Sequence, residues 1–445
     1  FGSSDFGSSC IQGDLFTPRL PVHCVRLETD MAMLLGSLRS VSRRGFSTLS
    51  REEAFALAHK IHAVPFDPAK EPEVKCPVYE GLTSELQSYL SLKPPAGYTT
   101  PARQVRPTKI ANSALELVGN TPMIRLDRYR KLLGVEPTIL GKCEYFSAGG
   151  SVKDRIALRM IEEAERDGLC KPGDTFIEAT SGNTGVGLCM AGAIKGYNVI
   201  ITLPKKMSGE KVNMMKGFGA LILRTPTEAA WNADDSHIVL AQRIKEAINK
   251  QTGRASAHVL DQYANRGNVL AHYDTTAEEI LEQTDGKLTH LVMTAGTGGT
   301  LTGIAKKIKE KAPHVTIVGI DPEGSILALP ENLNDKGKGE MYHVEGIGYD
   351  FIPTVLERTA ADVWLKSNDR DSFTHARALI RHEGLCIGGS CGSAMHGAYD
   401  YIKQAGLGKD AMVVVLFADS TRNYMSKFLD DDWLNKSGFG DIEVL

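Results

Sequence analysis

A chain of 445 residues, 42% hydrophobic and 24% charged, is long enough for two or three cores and has the make-up of an ordinary globular protein rather than a fibre or a disordered tract. Its 51 basic and 54 acidic side chains leave a net charge of -3, which gives no electrostatic reason to expect a nucleic-acid partner. Eight cysteines with no C-x-x-C pair argue against a disulfide framework and a structural zinc site, and no apolar run approaches the length of a membrane span, so no metal and no membrane are expected and the cytoplasm is the simpler home.

The chain opens on Phe1, and Met31 is the better candidate start. From Met31 to Arg51 there are four arginines, five serines and no acidic residue, with leucines interleaved. That composition fits a mitochondrial transit peptide as well as it fits a plain basic tail. Residues 1–106 read as a partly disordered N-terminal extension, with a short helical pattern from Glu52 to His62 and proline-rich connectors such as Lys93-Pro94-Pro95. A catalytic domain is expected over 107–439, followed by a tail at 440–445.

From Lys109 onward strand and helix patterns alternate, as in parallel sheets covered on both faces. Between Ser151 and Asp167, Val152, Ile156, Ala157, Met160, Ile161 and Ala164 recur at helical spacing; Ser151 is a natural N-cap and Gly168 a natural stop. Lys153 stands in the first turn, behind Gly149 and Gly150. A lysine there opposes the helix pole, and its lowered pKa makes a nucleophile towards an aldehyde. Further strands are predicted over Thr175–Ala179, Asn198–Leu203, Ala220–Leu223, His290–Thr294, Val315–Ile320 and Met412–Ala418, and helices over Val186–Ile194, Val212–Gly219, Glu278–Gln283 and Leu301–Lys309.

Two glycine-rich turns fall at strand-to-helix junctions, where unpaired backbone N–H groups meet a positive helix end. Gly296-Thr297-Gly298-Gly299-Thr300 has the wrong spacing for a dinucleotide loop and lacks the lysine of a P-loop; a single phosphate fits it better. Thr180-Ser181-Gly182-Asn183-Thr184-Gly185 presents neutral hydrogen-bonding groups, suited to a carboxylate held without a counter-ion. A third turn, Gly388-Gly389-Ser390-Cys391-Gly392-Ser393, puts small residues before a helix pattern and by itself reads as close packing.

A nucleophilic lysine, a phosphate cradle and a carboxylate loop are the parts needed for pyridoxal phosphate and an amino acid. The chain resembles the fold type II pyridoxal-phosphate enzymes, and within them the cysteine synthase/cystathionine β-synthase family. The resemblance is carried by Gly119-Asn120-Thr121-Pro122, Gly-Gly-Ser-Val-Lys-Asp-Arg at 149–155, the two glycine turns, Asp261-Gln262-Tyr263, Glu345-Gly346-Ile347-Gly348-Tyr349 and Asp419-Ser420-Thr421-Arg422-Asn423-Tyr424. It implies a tryptophan synthase β-like α/β fold of two open twisted subdomains with the cofactor in the cleft between them, the mobile one spanning about 178–260.

The same resemblance assigns roles. Lys153 would hold the cofactor covalently and serve as base and acid at the substrate Cα. Asn183 would bond the ring hydroxyl, 296–300 the phosphate, and Ser390 the pyridine nitrogen. Thr180, Ser181, Gly182 and Thr184 would grip the substrate carboxylate, and Tyr263, Glu345, Gly348 and Tyr349 would line the entrance and second-substrate side. The implied reaction is a β-replacement joining L-serine and L-homocysteine into L-cystathionine and water, in a homodimer. A cysteine synthase using O-acetylserine and sulfide is the first alternative, and a catalytically silent scaffold the second.

Departures from the animal pattern are also expected to matter. Cys76-Pro77-Val78-Tyr79 resembles the start of a haem-binding run, but no histidine lies between Cys76 and Lys109, and Lys306 stands where relatives place an arginine. No haem is expected, and His59 and His62 read as surface residues of a helix. The chain ends at Leu445, so activation through a C-terminal regulatory module is not expected.

Overall fold

The computed structural model describes residues 49–64, 77, 81, 110–180, 182–205, 209–227, 229 and 232–442. The described residues all belong to one compact unit. Among the described residues there are ten strands, β1 (Met123–Arg125), β2 (Thr138–Cys143), β3 (Thr175–Ala179), β4 (Asn198–Pro204), β5 (Leu221–Thr225), β6 (Ala257–Val259), β7 (His290–Thr294), β8 (Thr316–Pro322), β9 (Val363–Ser367) and β10 (Met412–Phe417). They form a six-stranded sheet in the order β1-β2-β10-β7-β8-β9 and a four-stranded sheet in the order β5-β4-β3-β6. Every pairing is parallel except β1 with β2.

Parallel strands covered on both faces must be apolar throughout, and β10, Met-Val-Val-Val-Leu-Phe, is the clearest case. On one face of the large sheet Leu291 and Met293 pack with Leu301, Ile304 and Ile308 of the helix Gly299–Lys311. On the other, Val292 and Val413 meet Ala394, Met395 and Ala398 of the helix Gly389–Gln404. The small sheet is covered by Ile156, Met160 and Leu188 against Phe176 on one face, and by Ile244 and Ile248 of the helix His237–Thr252 against Ile177 and Ile200 on the other.

Most predicted elements lie within a few residues of the observed ones, and the differences have local causes. The helix predicted from Ser151 runs from Lys153 to Arg166; Ser151 is not its cap, since no side chain caps it, although Ser151 Oγ accepts from the N–H of Lys153 at 3.2 Å. Gly168 is the stop, at φ +70°. Asn183 and Thr184, read as part of a turn, are already the first turn of the helix Asn183–Lys195. Strands β1, β2, β6 and β9 carry no such prediction. β2 hides behind a lysine: Lys142 is fully buried and bonded to Glu279 Oε2 at 2.7 Å and the Thr121 carbonyl at 2.8 Å.

Within the stretch read as an extension, the helix Arg51–Ala63 starts at a capping box of Ser50 and Glu53. It buries Ala54 and Ala58 in the cluster of Leu223, Leu240 and Ile244 on the small-sheet side. His59 and His62 are exposed on it, with His62 Nε2 2.8 Å from the Arg224 carbonyl. Cys76 and the segment 31–47 lie outside the described residues, while Lys306 pairs with Glu357 at 2.5 Å. Among the described residues no helix is long and apolar enough to cross a membrane, and no cluster of potential metal ligands occurs.

Candidate active site

A cavity of about 750 Å³ is lined from both sheets: by Thr180, Gly182, Asn183, Thr184 and Lys211 of the small-sheet half, and by Gly296, Thr297, Gly298, Thr300, Glu345, Gly348, Tyr349, Ser390 and Asp419 of the large-sheet half. Lys153 reaches into it. Burial lowers its amine to about 8. The depression argued from the helix pole is thus delivered by desolvation, and near that pH a large fraction of the amine is neutral. Its Nζ donates to Thr297 Oγ1 at 3.3 Å.

The 296–300 turn is a cradle in which side chains have no room. A Cβ at Gly298, which has φ +86°, would stand 2.4 Å from Leu356 Cβ; at Gly296 it would meet the Gly346 carbonyl at 2.5 Å, and at Gly299 Asn268 Oδ1 at 2.1 Å. The helix begins at Gly299, so its first N–H groups have no carbonyl one turn back. Two side chains brace the turn: Asn268 Nδ2 donates to Thr297 Oγ1 at 3.0 Å, and His272 Nε2 lies 3.0 Å from Thr300 Oγ1. His272 belongs to a single π-helical turn, His272–Thr276. Burial first, then Arg155 and Lys153, hold it well below the usual histidine range, so it is neutral. An anion of phosphate size fits this cradle, with Lys153 beside it, and the residues present suit pyridoxal phosphate.

The carboxylate loop is held by partners that spacing does not disclose. Thr184 Oγ1 donates to Gln262 Oε1 at 2.7 Å, and the N–H of Gln262 donates to Glu178 Oε1 at 3.0 Å. Burial, with Asp261 adding to it, raises the Glu178 carboxyl to about 8. Thr180 Oγ1 accepts from the Gly182 N–H at 3.4 Å, and Ser181 lies outside the described residues. Asn183 Nδ2 donates to Asp419 Oδ2 at 2.7 Å, while its Oδ1 accepts from Asn423 Nδ2 at 3.0 Å.

Beside this group Glu345 sits between two lysines, Lys211 at 2.8 Å and Lys427. Burial pushes its carboxyl up, but the two ammonium groups outweigh it and hold the group ionised below its usual range. Lys211 also lies 4.3 Å over the Tyr424 ring. Gly348, at φ +73°, donates its N–H to the Ala295 carbonyl and so ties this side to the cradle. Tyr349 lines the cavity, whereas Tyr263 stands behind it, its hydroxyl 3.3 Å from that of Tyr349. Ser390 lines the cavity from the first turn of its helix. Gly299 braces the cradle without lining the cavity. Lys211, Gln262, Asn268, Lys427 and Asp419 had no assigned role from sequence; no periodicity marks them, and only Gln262 and Asp419 fell in stretches that carried the resemblance.

Three kinds of similarity bear on this site. Residues 114–419 match the family model described as pyridoxal-phosphate dependent enzyme. The chain is 56% identical over 336 residues to cystathionine beta-synthase of Mus musculus, covering 76% of this chain and 58% of that protein. It is 56% identical over 334 residues to cystathionine beta-synthase of Dictyostelium discoideum (75% and 65% covered), and 49% over 341 residues to that of Saccharomyces cerevisiae (75% and 66%). The chain therefore spans about three fifths to two thirds of the length of these relatives. Among solved structures, a hydrogen sulfide-producing enzyme of Fusobacterium nucleatum aligns at TM-score 0.62 and 35% identity over 71% of this chain and 98% of its own. An O-ureido-L-serine synthase aligns at TM-score 0.64 and 29% identity over 74% and 100%. With the family model covering both sheets and every turn of the cavity, the chain belongs to the pyridoxal-phosphate dependent enzymes.

Proposed function

We propose that the protein condenses L-serine with L-homocysteine to give L-cystathionine and water. The observation that carries this reading is the juxtaposition of a Lys153 amine lowered to about 8 with an anion cradle on one side and the Thr180–Thr184 loop on the other. The identity to cystathionine beta-synthases supports the choice of substrates. Pyridoxal phosphate, when bound, supplies an electron sink for the bonding electrons at Cα.

The chain's own residues do the rest. The N–H groups and threonines of 296–300 would hold the phosphate, Asn183 would bond the ring hydroxyl, and Ser390 would serve the ring nitrogen with a neutral hydroxyl. Thr180, Ser181 and Thr184, with the first N–H groups of the helix Asn183–Lys195, would orient the substrate carboxylate. Lys153 takes the Cα proton and passes it to the serine hydroxyl, which leaves Cβ as water; the homocysteine thiol then gives up its own proton as its sulfur adds to Cβ, and Lys153 delivers that proton to Cα. Tyr263, Glu345, Gly348 and Tyr349 shape the side from which the thiol enters. Approach of the small-sheet half to the large one excludes water from the reacting carbon. The same reading takes the protein as a homodimer acting on small molecules, in the cytoplasm or, if 31–51 serves as a leader, in the mitochondrion; family resemblance supports the dimer, and the composition of 31–51 the leader.

Sulfide as the second substrate is the competing reading, favoured by the structural neighbour described as hydrogen sulfide-producing. Turnover of serine plus homocysteine and of O-acetylserine plus sulfide, measured side by side, separates them: the first pair should be faster, and faster cysteine formation from the second overturns the assignment. Borohydride reduction followed by peptide mapping should put the pyridoxyl label on Lys153, and a Lys153→Ala variant should lose turnover by several orders of magnitude.

A further inference from the structure

Asp419, just beyond β10, is almost fully buried and lines the cavity, yet no role follows for it from the reaction itself. Three segments converge on it. Its main chain forms an antiparallel bridge with Ser151, two residues before Lys153, and the neighbouring Val152 N–H donates to the Ala418 carbonyl at 2.8 Å. Its carbonyl accepts from the Gly388 N–H at 3.0 Å and from Cys391 Sγ at 3.5 Å, on either side of Ser390. Its side chain reaches across to the small-sheet half, where Oδ2 accepts from Asn183 Nδ2 at 2.7 Å, and the same oxygen accepts from Tyr424 Oη, on Asp419's own segment, at 2.5 Å.

The carboxylate also fixes which end of the Asn183 amide points where. A carboxylate only accepts, so it must face the NH2 end. Asn423 Nδ2 then donates to the other end, Oδ1. Two of the four hydrogen-bonding positions on that amide are thus taken, and of its two N–H donors one remains for a ligand's oxygen. The second carboxylate oxygen, Oδ1, is buried without a hydrogen-bond partner and so close to Gly388 that a Cβ there would lie 2.1 Å from it. Asp419 has therefore no slack to turn, and the Ser390 turn is packed against the same group that holds Asn183.

We propose that Asp419 is a positioning residue that locks the Asn183 amide and the Ser390 turn into one unit, so that the hydroxyl-bearing edge of the cofactor ring meets an N–H and not a carbonyl oxygen. This rests on the reading that Asn183 contacts that hydroxyl. An asparagine at 419 could face Asn183 with either end, and the pinned orientation would be lost.

The test uses the holoenzyme and the visible absorption of the cofactor linked to Lys153. That link exists in two tautomers, with the proton on nitrogen or on the ring oxygen, and they absorb at different wavelengths. An N–H donated to the ring oxygen favours the first. Asp419→Asn should shift the band ratio towards the second by about three- to ten-fold, the worth of one hydrogen bond. Asn183→Ala should shift it at least as far. If Asn183→Ala leaves the ratio unchanged, the reading of Asn183 itself fails. If Asn183→Ala shifts it and Asp419→Asn does not, or if Asp419→Asn only lowers cofactor occupancy while the occupied fraction keeps the wild-type ratio, the positioning role is overturned. Should Asp419→Asn not fold, Asp419→Ala, which removes the acceptor that faces the Asn183 NH2 group, takes its place; a shift in the same direction supports the proposal, and an unchanged ratio rejects it.

Discussion

Two residues beyond Lys153, Arg155 shows how much charge the molecule buries to hold one lysine in place. Its guanidinium bonds Glu144 through Nε at 2.6 Å and Glu279 through Nη1 at 2.7 Å, and Lys142 completes the group on Glu279 at 2.7 Å. Two positive and two negative groups balance, and burial makes each partner indispensable to the others. Burial works against the Glu279 carboxylate, yet Arg155 and Lys142 hold its pKa far below the usual range. Arg155→Leu leaves two buried carboxylates facing one ammonium group, and should cost on the order of 3–5 kcal/mol in urea unfolding. A loss under about 1 kcal/mol would show that the cluster is not the brace of the Lys153 helix. The cluster was invisible in sequence because Lys142, Glu144, Arg155 and Glu279 lie on four elements with no common period; Arg155 itself stood out only as a neighbour of Lys153.

Among elements, the helix Gly299–Lys311 is defined by how it begins. Gly298 has φ +86°, and the nearest heavy atom to a Cβ there would be Leu356 Cβ at 2.4 Å, which leaves the turn no alternative residue. Gly298→Ala should therefore cost about 1–2 kcal/mol for the left-handed backbone, with a further penalty for displacing Leu356. Because the displaced turn is the cradle, cofactor affinity should fall by at least ten-fold, measured by titrating the apoprotein, while Gly286→Ala, at φ +67° in open space, should cost only the backbone part and leave affinity alone. Equal effects of the two would deny the cradle its role. The glycine spacing of this turn was readable because a phosphate site is a local device, built from consecutive N–H groups and a helix end. The Thr180–Gly185 turn was readable in part: its neutral hydroxyl and amide groups were plain, but Gln262, Asp419 and Asn423, which orient them, were not.

At the scale of the whole molecule, stability should carry the mark of one buried histidine. His375, on the helix Asp369–Glu383, lies with Nδ1 2.8 Å from the Tyr129 hydroxyl and fastens the segment Asp127–Leu132 to the large sheet's outer layer. Burial, then the neighbouring His396, lowers it to about 4, against a small opposing pull from Asp371. The unfolded chain binds the proton more tightly, so the contribution is complete above the ordinary value near 6.5 and is lost as pH falls from there towards 4. Its full size is on the order of 3 kcal/mol. A His375→Gln variant should show a smaller drop in unfolding free energy between pH 7 and pH 4 than the wild type does; parallel curves would remove His375 from the acid response.

By itself the sequence determined six of the ten described strands and the helices that follow the two glycine turns, where backbone N–H groups are left free to hold an anion, and which lysine stands beside them. These follow from periodicity, capping and glycine geometry, all of which act over a few residues. Tertiary structure alone decided that Lys153 is desolvated, that Glu345 lies between Lys211 and Lys427, and that Asn183 meets a carboxylate 236 residues further along the chain. The physical reason is the packing of two separate sheets around one cleft. Contacts across that cleft depend on how the sheets are set against each other, and no repeat along the chain encodes that arrangement.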